Sequence, residues 1–139
     1  MKIKFLGSGD AFGSGGRLQA CILVDADDRR FLLDCGATAT VALRRFGVDP
    51  NGIGAVFISH LHGDHFAGLP FFLLDAQLIS KRTAPLTVAG PPGTGKRVFA
   101  AMEVLFPGSS TSAKNFAVRV EELSPGEPRV IAGVKVTTF

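Results

Sequence analysis

The sequence predicts an α/β fold, a β-sheet flanked by helices. Three observations lead there. Short apolar runs bounded by glycine, proline or aspartate alternate with longer helical stretches. Hydrophobic residues make up 46% of the 139 and mean hydropathy is +0.29, which describes a filled core and not a disordered chain. At this length a single domain is the natural count.

Residues 2–6 alternate polar and apolar, as a strand near a sheet edge would. Residues 7–16 form a glycine-rich loop. Its spacing is G-x-G-x-x-x-G and a strand follows, so it lacks the helix that a dinucleotide fingerprint requires. Residues 20–24 and 30–33 read as paired strands, with 25–28 as their turn. Asp34 ends the second strand beside Gly36, where aspartate makes ordinary turns. Residues 38–46 predict a short helix with Val41, Leu43 and Phe46 available to the core and Arg44 and Arg45 solvated. It stops at Gly47 and Pro50. Residues 55–58 are a buried strand. Pro70 suits the first turn of a helix running to Ile79 and packing on the sheet. Residues 86–89 are a further strand and 98–106 a further helix. A polar loop covers 107–115. Residues 116–123 and 129–139 read as strands joined by 124–128.

Gly90 to Lys96 fits G-x-x-x-x-G-K, the start of a P-loop, with a strand before and a helix after. Arg97 stands where the magnesium-binding Ser or Thr belongs, and no strand is expected to end in the acidic partner. A nucleotide-binding module is therefore an alternative, and a plain strand-to-helix turn the simpler one.

The formal charge is +3 with basic residues scattered, which gives no strong nucleic-acid footprint and permits only weak attraction to an anionic substrate. Cys21 and Cys35 are too few for a secreted disulfide framework; Cys35 reads as a buried free thiol. No segment approaches the roughly 20 apolar residues of a membrane span. The N-terminal strand breaks at Gly7, too early for a signal peptide. A cytoplasmic protein with no membrane partner is the expectation.

Chemistry concentrates in His60-Leu61-His62-Gly63-Asp64-His65, which holds all three histidines of the chain. Imidazole and carboxylate are ligands of zinc, manganese and iron. On an extended strand end, His60 and His62 point the same way. The backbone turns at Gly63, so Asp64 and His65 face back from a helix opening. Imidazoles crowded this closely repel one another and lose solvent; a cation compensates both.

This H-x-H-x-D-H run, after an apolar strand, resembles the signature of the metallo-β-lactamase superfamily. The flanks, Phe57-Ile58-Ser59 and Phe66-Ala67-Gly68-Leu69-Pro70, look most like its ribonuclease Z-like and phosphodiesterase branches. The resemblance implies an αββα sandwich, of which residues 1–139 supply roughly the first half as a mixed sheet with helices. It implies two divalent metal ions, zinc foremost, with manganese or iron as other choices. His60 and His62 would hold the first, Asp64 and His65 the second. Asp64 could also accept a proton from the attacking water. Asp34, at the family's D-x-G position, would fix the ligand loop from outside the metal shell. Ser8, Gly9 and Arg17 belong to a loop beside the metal site that approaches substrate.

A phosphodiester follows as the substrate, a small molecule or a nucleic acid such as the tRNA 3′ end; a thioester or lactone is the alternative. Where tRNA-processing relatives carry Arg-Asn in the first loop, Arg17 matches and Leu18 replaces Asn. The family's remaining ligands come from a second half-domain, so these residues alone should bind metal weakly and catalyse poorly. One sheet face should lack its partner. A longer chain, or pairing with a second copy as a homodimer, would cover it.

Overall fold

The computed structural model describes residues 1–139. Six strands lie side by side in chain order: β1 (Lys2–Gly7), β2 (Cys21–Ala26), β3 (Arg29–Leu33), β4 (Ala55–Phe57), β5 (Leu86–Gly90) and β6 (Val118–Glu122). The first three are antiparallel, and β3 to β6 are parallel. Parallel neighbours need crossovers, and the helices provide them. α1 (Ala39–Arg45) joins β3 to β4. α2 (Gly63–Phe66) and α3 (Leu69–Leu78) join β4 to β5, and α4 (Thr94–Leu105) joins β5 to β6. The α/β reading, a mixed sheet with helices, is the observed architecture.

Side-chain alternation builds two cores. Leu23, Leu32, Val56 and Val88 face the helices and meet Leu43, Phe72, Leu73, Val98 and Met102. Their neighbours Val24, Phe31, Ala55, Phe57 and Ala89 face the other way into a smaller cluster. β4 and β5 are buried on both faces, which is why they read as unbroken apolar runs.

Several expectations need correction. The β2–β3 turn contains only Asp27 and Asp28; Asp25 lies in β2 opposite Arg30 and takes a hydrogen bond from its Nε. In α1 the buried residues are Ala39, Ala42 and Leu43. Val41 and Phe46 are 52% and 41% exposed, because a helix this short presents only one stripe to the sheet. Lys4 Nζ sits 4.9 Å from the centre of the Phe46 ring. The expected strand over 129–139 is a hairpin, β7 (Arg129–Ile131) and β8 (Val134–Val136). Ala132 and Gly133 turn it with φ of 48° and 78°, the conformation that two-residue hairpin turns demand.

That hairpin also qualifies the expectation of an uncovered face. Ile131 is buried in the second cluster, and Val134 and Val136 pack against it. Across β1 and the end of β3 the same face is open. Ile3 and Phe5 pair with Val24 and Ile22 and are 51% and 64% exposed.

Candidate metal centre

Residues 58–65 leave the buried end of β4 and run across the carboxyl edge of the parallel strands, where α/β folds place their sites. Ile58 N–H bonds to the carbonyl of Ala89, which anchors the start of the turn. His62 is extended (φ −84°, ψ 152°) and caps α2, so Asp64 and His65 fall in that helix. His60 and His62 are exposed; Asp64 and His65 are half-buried.

The turn is locked from below by the loop after β3. Asp34 adopts a left-handed φ of 60°, which aspartate tolerates better than most residues. Its N–H bonds to Phe57 O, and Cys35 N–H bonds to His65 O at 2.7 Å. Gly36 and Gly68 are required here. An added Cβ on Gly36 would overlap the carbonyl of Asp64, and one on Gly68 the carbonyl of Gly36.

Asp34 is buried and its carboxylate organises the site. Oδ1 accepts from Ser59 N–H and Oδ2 from Ser59 Oγ, both at 2.8 Å. Oδ2 lies 2.7 Å from His65 Nδ1. An ionised carboxylate only accepts, so Nδ1 carries the proton and Nε2 keeps its lone pair. That Nε2 is 3.4 Å from Asp64 Oδ2. Ser59 Oγ, its proton given to Asp34, stands 3.1 Å from His60 Nδ1. It can accept there, which leaves the second nitrogen of His60 unprotonated too.

The three rings are close neighbours. His60 and His62 meet edge to face, centres 4.7 Å apart, and His60 and His65 are 4.0 Å apart and tilted by 46°. The structure therefore gathers His60, His62, Asp64 and His65, as their spacing suggests. The donor set has the right chemistry for a divalent cation. As the side chains stand, no group of three or more His, Cys, Asp or Glu is disposed to hold a metal ion. The cysteines take no part. Burial pushes the Cys21 thiol up to about 12 and Cys35 well above its ordinary value, whereas a ligand must be thiolate.

Residues 1–92 match the family described as Anti-Pycsar protein Apyc1. The chain belongs to that family. It is 34% identical over its whole length to ribonuclease Z of Halorubrum lacusprofundi, of which it covers 43%. Over 91% of its length it is 35% identical to ribonuclease Z of an Exiguobacterium species, covering 40% of that protein. It thus spans about two-fifths of these relatives. Among solved structures, the short form of human tRNase Z superposes with a TM-score of 0.73 at 33% identity, over 90% of this chain and 46% of that one. The metallo-β-lactamase fold protein YhfI of Bacillus subtilis shares the fold (TM-score 0.67, 19% identity, 93% of this chain and 49% of that one). These similarities give the chain the metallo-β-lactamase fold, of which it spans roughly the first half, and a sequence similar to ribonuclease Z.

An open groove of about 610 Å³ runs beside the cluster, lined by Gln19, Leu61, His62, Asp64, Phe66 and Arg97 among others. From the first loop it takes Ala11 and Gln19; Ser8, Gly9 and Arg17 are outside its lining. Gly9 has a structural reason of its own: its N–H bonds to Leu18 O and an added Cβ would crowd Arg17. Gln19 accepts from Ala37 N–H through Oε1, tying that loop to the Asp34 loop.

The P-loop alternative meets a contrary arrangement. β6 does end in acidic residues, Glu121 and Glu122. Glu122 accepts from the N–H groups of Gly93 (3.0 Å) and Gly95 (3.1 Å), donors a nucleotide phosphate would need. Those bonds hold the Glu122 carboxyl below the usual carboxylate range. Helix α4 also begins at Thr94, four residues earlier than its apolar spacing suggests. No helix is long and apolar enough to cross a membrane.

Proposed function

We propose that this chain carries the first half of a dinuclear metal-dependent hydrolase site acting on phosphodiesters. The observation that carries the reading is the Asp34–His65 bond of 2.7 Å, which leaves Nε2 of one imidazole unprotonated beside two others and so supports a ligand role for it. His60 and His62 would hold one ion, and Asp64 and His65 the other, zinc before manganese or iron. The remaining ligands would come from a second half-domain. When bound, such ions make water acidic enough to attack near neutral pH and offset charge on the phosphoryl oxygen. Asp34 and Ser59 hold the ring protons so that the facing nitrogens stay bare. Asp64, half-buried beside His65 Nε2, accepts the proton of the attacking water. The named activity of the ribonuclease Z relatives supports a phosphodiester, RNA or small molecule, over a thioester or lactone. The loop of Ser8, Gly9 and Arg17 would approach the substrate through Ala11. A cytoplasmic enzyme completes the reading, with homodimer pairing as the alternative to a second half-domain in the same chain.

The test uses the full-length protein. Elemental analysis should find about two transition-metal ions per chain, and bis(p-nitrophenyl) phosphate should be hydrolysed in preference to a thioester or a lactone. Asp64→Ala should remove most turnover with the fold intact; an unchanged rate in that variant excludes the role given to Asp64.

A further inference from the structure

We infer that Arg97 is the substrate-anchoring cation of the groove, binding a phosphate of the ligand beside the histidine cluster. The inference rests on the phosphodiester reading above. Of the residues lining the groove, Arg97 is the sole lysine or arginine, and it shares that lining with His62 and Asp64. It is exposed and takes part in no ion pair. Unlike a loop cation, it rides on a fixed element. Its N–H bonds to Gly93 O, the start of α4 is clamped by Glu122 through Gly93 and Gly95, and Gly93 lies near enough to Leu61, between the histidines, that an added Cβ would come within 3.9 Å of that side chain. Glu122 has a second consequence. By occupying the amides at the start of α4, it removes the backbone as an anion receptor, so the guanidinium is the group left to meet a phosphate. Its planar fork suits two phosphate oxygens at once.

The test is direct binding, measured by calorimetry on the full-length protein both zinc-loaded and in EDTA, with uridine monophosphate and uridine as paired probes. Arg97→Ala should weaken uridine monophosphate about five- to ten-fold in both states, since an exposed charge-assisted pair gives modest gains. Uridine binding should not change, and the salt sensitivity of the monophosphate should fall. Arg97→Lys should recover part of the loss, as a charge without the fork. Equal monophosphate affinity in wild type and Arg97→Ala overturns the inference, as does an equal loss for uridine. Arg97-dependent binding in a protein that hydrolyses no phosphodiester would sink the hydrolase reading and leave this one standing.

Discussion

At Asp34 a single carboxylate receives Ser59 N–H, Ser59 Oγ and His65 Nδ1, and through them sets two of the three imidazoles. Removing it should therefore cost more than one hydrogen bond. Asp34→Ala in the full-length protein frees the His65 ring to rotate, and zinc affinity should fall about 10- to 100-fold, the usual effect of losing a partner behind a ligand. Competition against a chromophoric chelator measures this, and a loss under two-fold would deny Asp34 the role. Ser59→Ala should give a smaller loss in the same assay. The histidines were legible in the sequence because three of one rare type in six positions is a pattern. Asp34 was legible only beside the family's D-x-G. Gln19 left no mark, Ser59 showed only as part of the flank of the histidine run, and Arg97 only as the residue that spoils a P-loop, since a lone serine, glutamine or arginine has no periodicity; only the folded chain brings Arg97, 32 positions after His65, to the same groove.

Among the elements, two junctions make measurable claims. Ala132 turns the β7–β8 hairpin with a positive φ, a strained choice for a residue with a Cβ. Ala132→Gly should stabilise the chain by roughly 0.5–1 kcal/mol by relieving that strain, read from urea denaturation; a destabilised variant would contradict the turn geometry. Glu122 makes the second claim. Its carboxyl titrates below the ordinary 4.5 because the Gly93 and Gly95 amides favour the ionised form. A depressed carboxylate stabilises the fold fully above its unfolded value and loses that contribution as pH falls through the folded one. The Tm gap between wild type and Glu122→Gln should thus be largest near pH 7 and narrow as pH falls below 4.5. A constant gap would mean that Glu122 does not cap α4 as a charge. Most strands could be read from their alternation, β4 and β5 from unbroken apolar runs. The hairpin could not, because Ala-Gly is a weak turn signal beside Asn-Gly. The true start of α4 was hidden because its cap comes from β6, more than twenty residues away.

Over the whole molecule, the crossovers that build the parallel half of the sheet converge on a residue no hydropathy pattern would place inside. Arg82 is 2% exposed. Its Nε donates to Ala84 O, and its terminal nitrogens donate to the carbonyls of Pro50, Asn51, Ile53 and Pro85. It faces the Phe116 ring at 5.9 Å. One guanidinium thus joins the turn before β4, the entry to β5 and the approach to β6. Burial lowers its pKa, yet arginine stays charged, so the carbonyl cage must offset the lost hydration. Sequence reading places arginine at the surface because it is almost never fully buried unpaired. The exception marks where the sheet's parallel strands are held in register. Arg82→Met keeps the stem and strands five carbonyls, and should cost about 3 kcal/mol or more. Arg82→Lys should restore little, since an ammonium cannot reach five acceptors in a plane. Urea unfolding should show the midpoint falling at an unchanged m-value. Arg45→Met, at an exposed position of α1, serves as the control and should shift it by no more than about 0.5 kcal/mol. A mild effect at Arg82 equal to that control would mean water already supplies those carbonyls, and the strands would have to be held by their apolar faces alone.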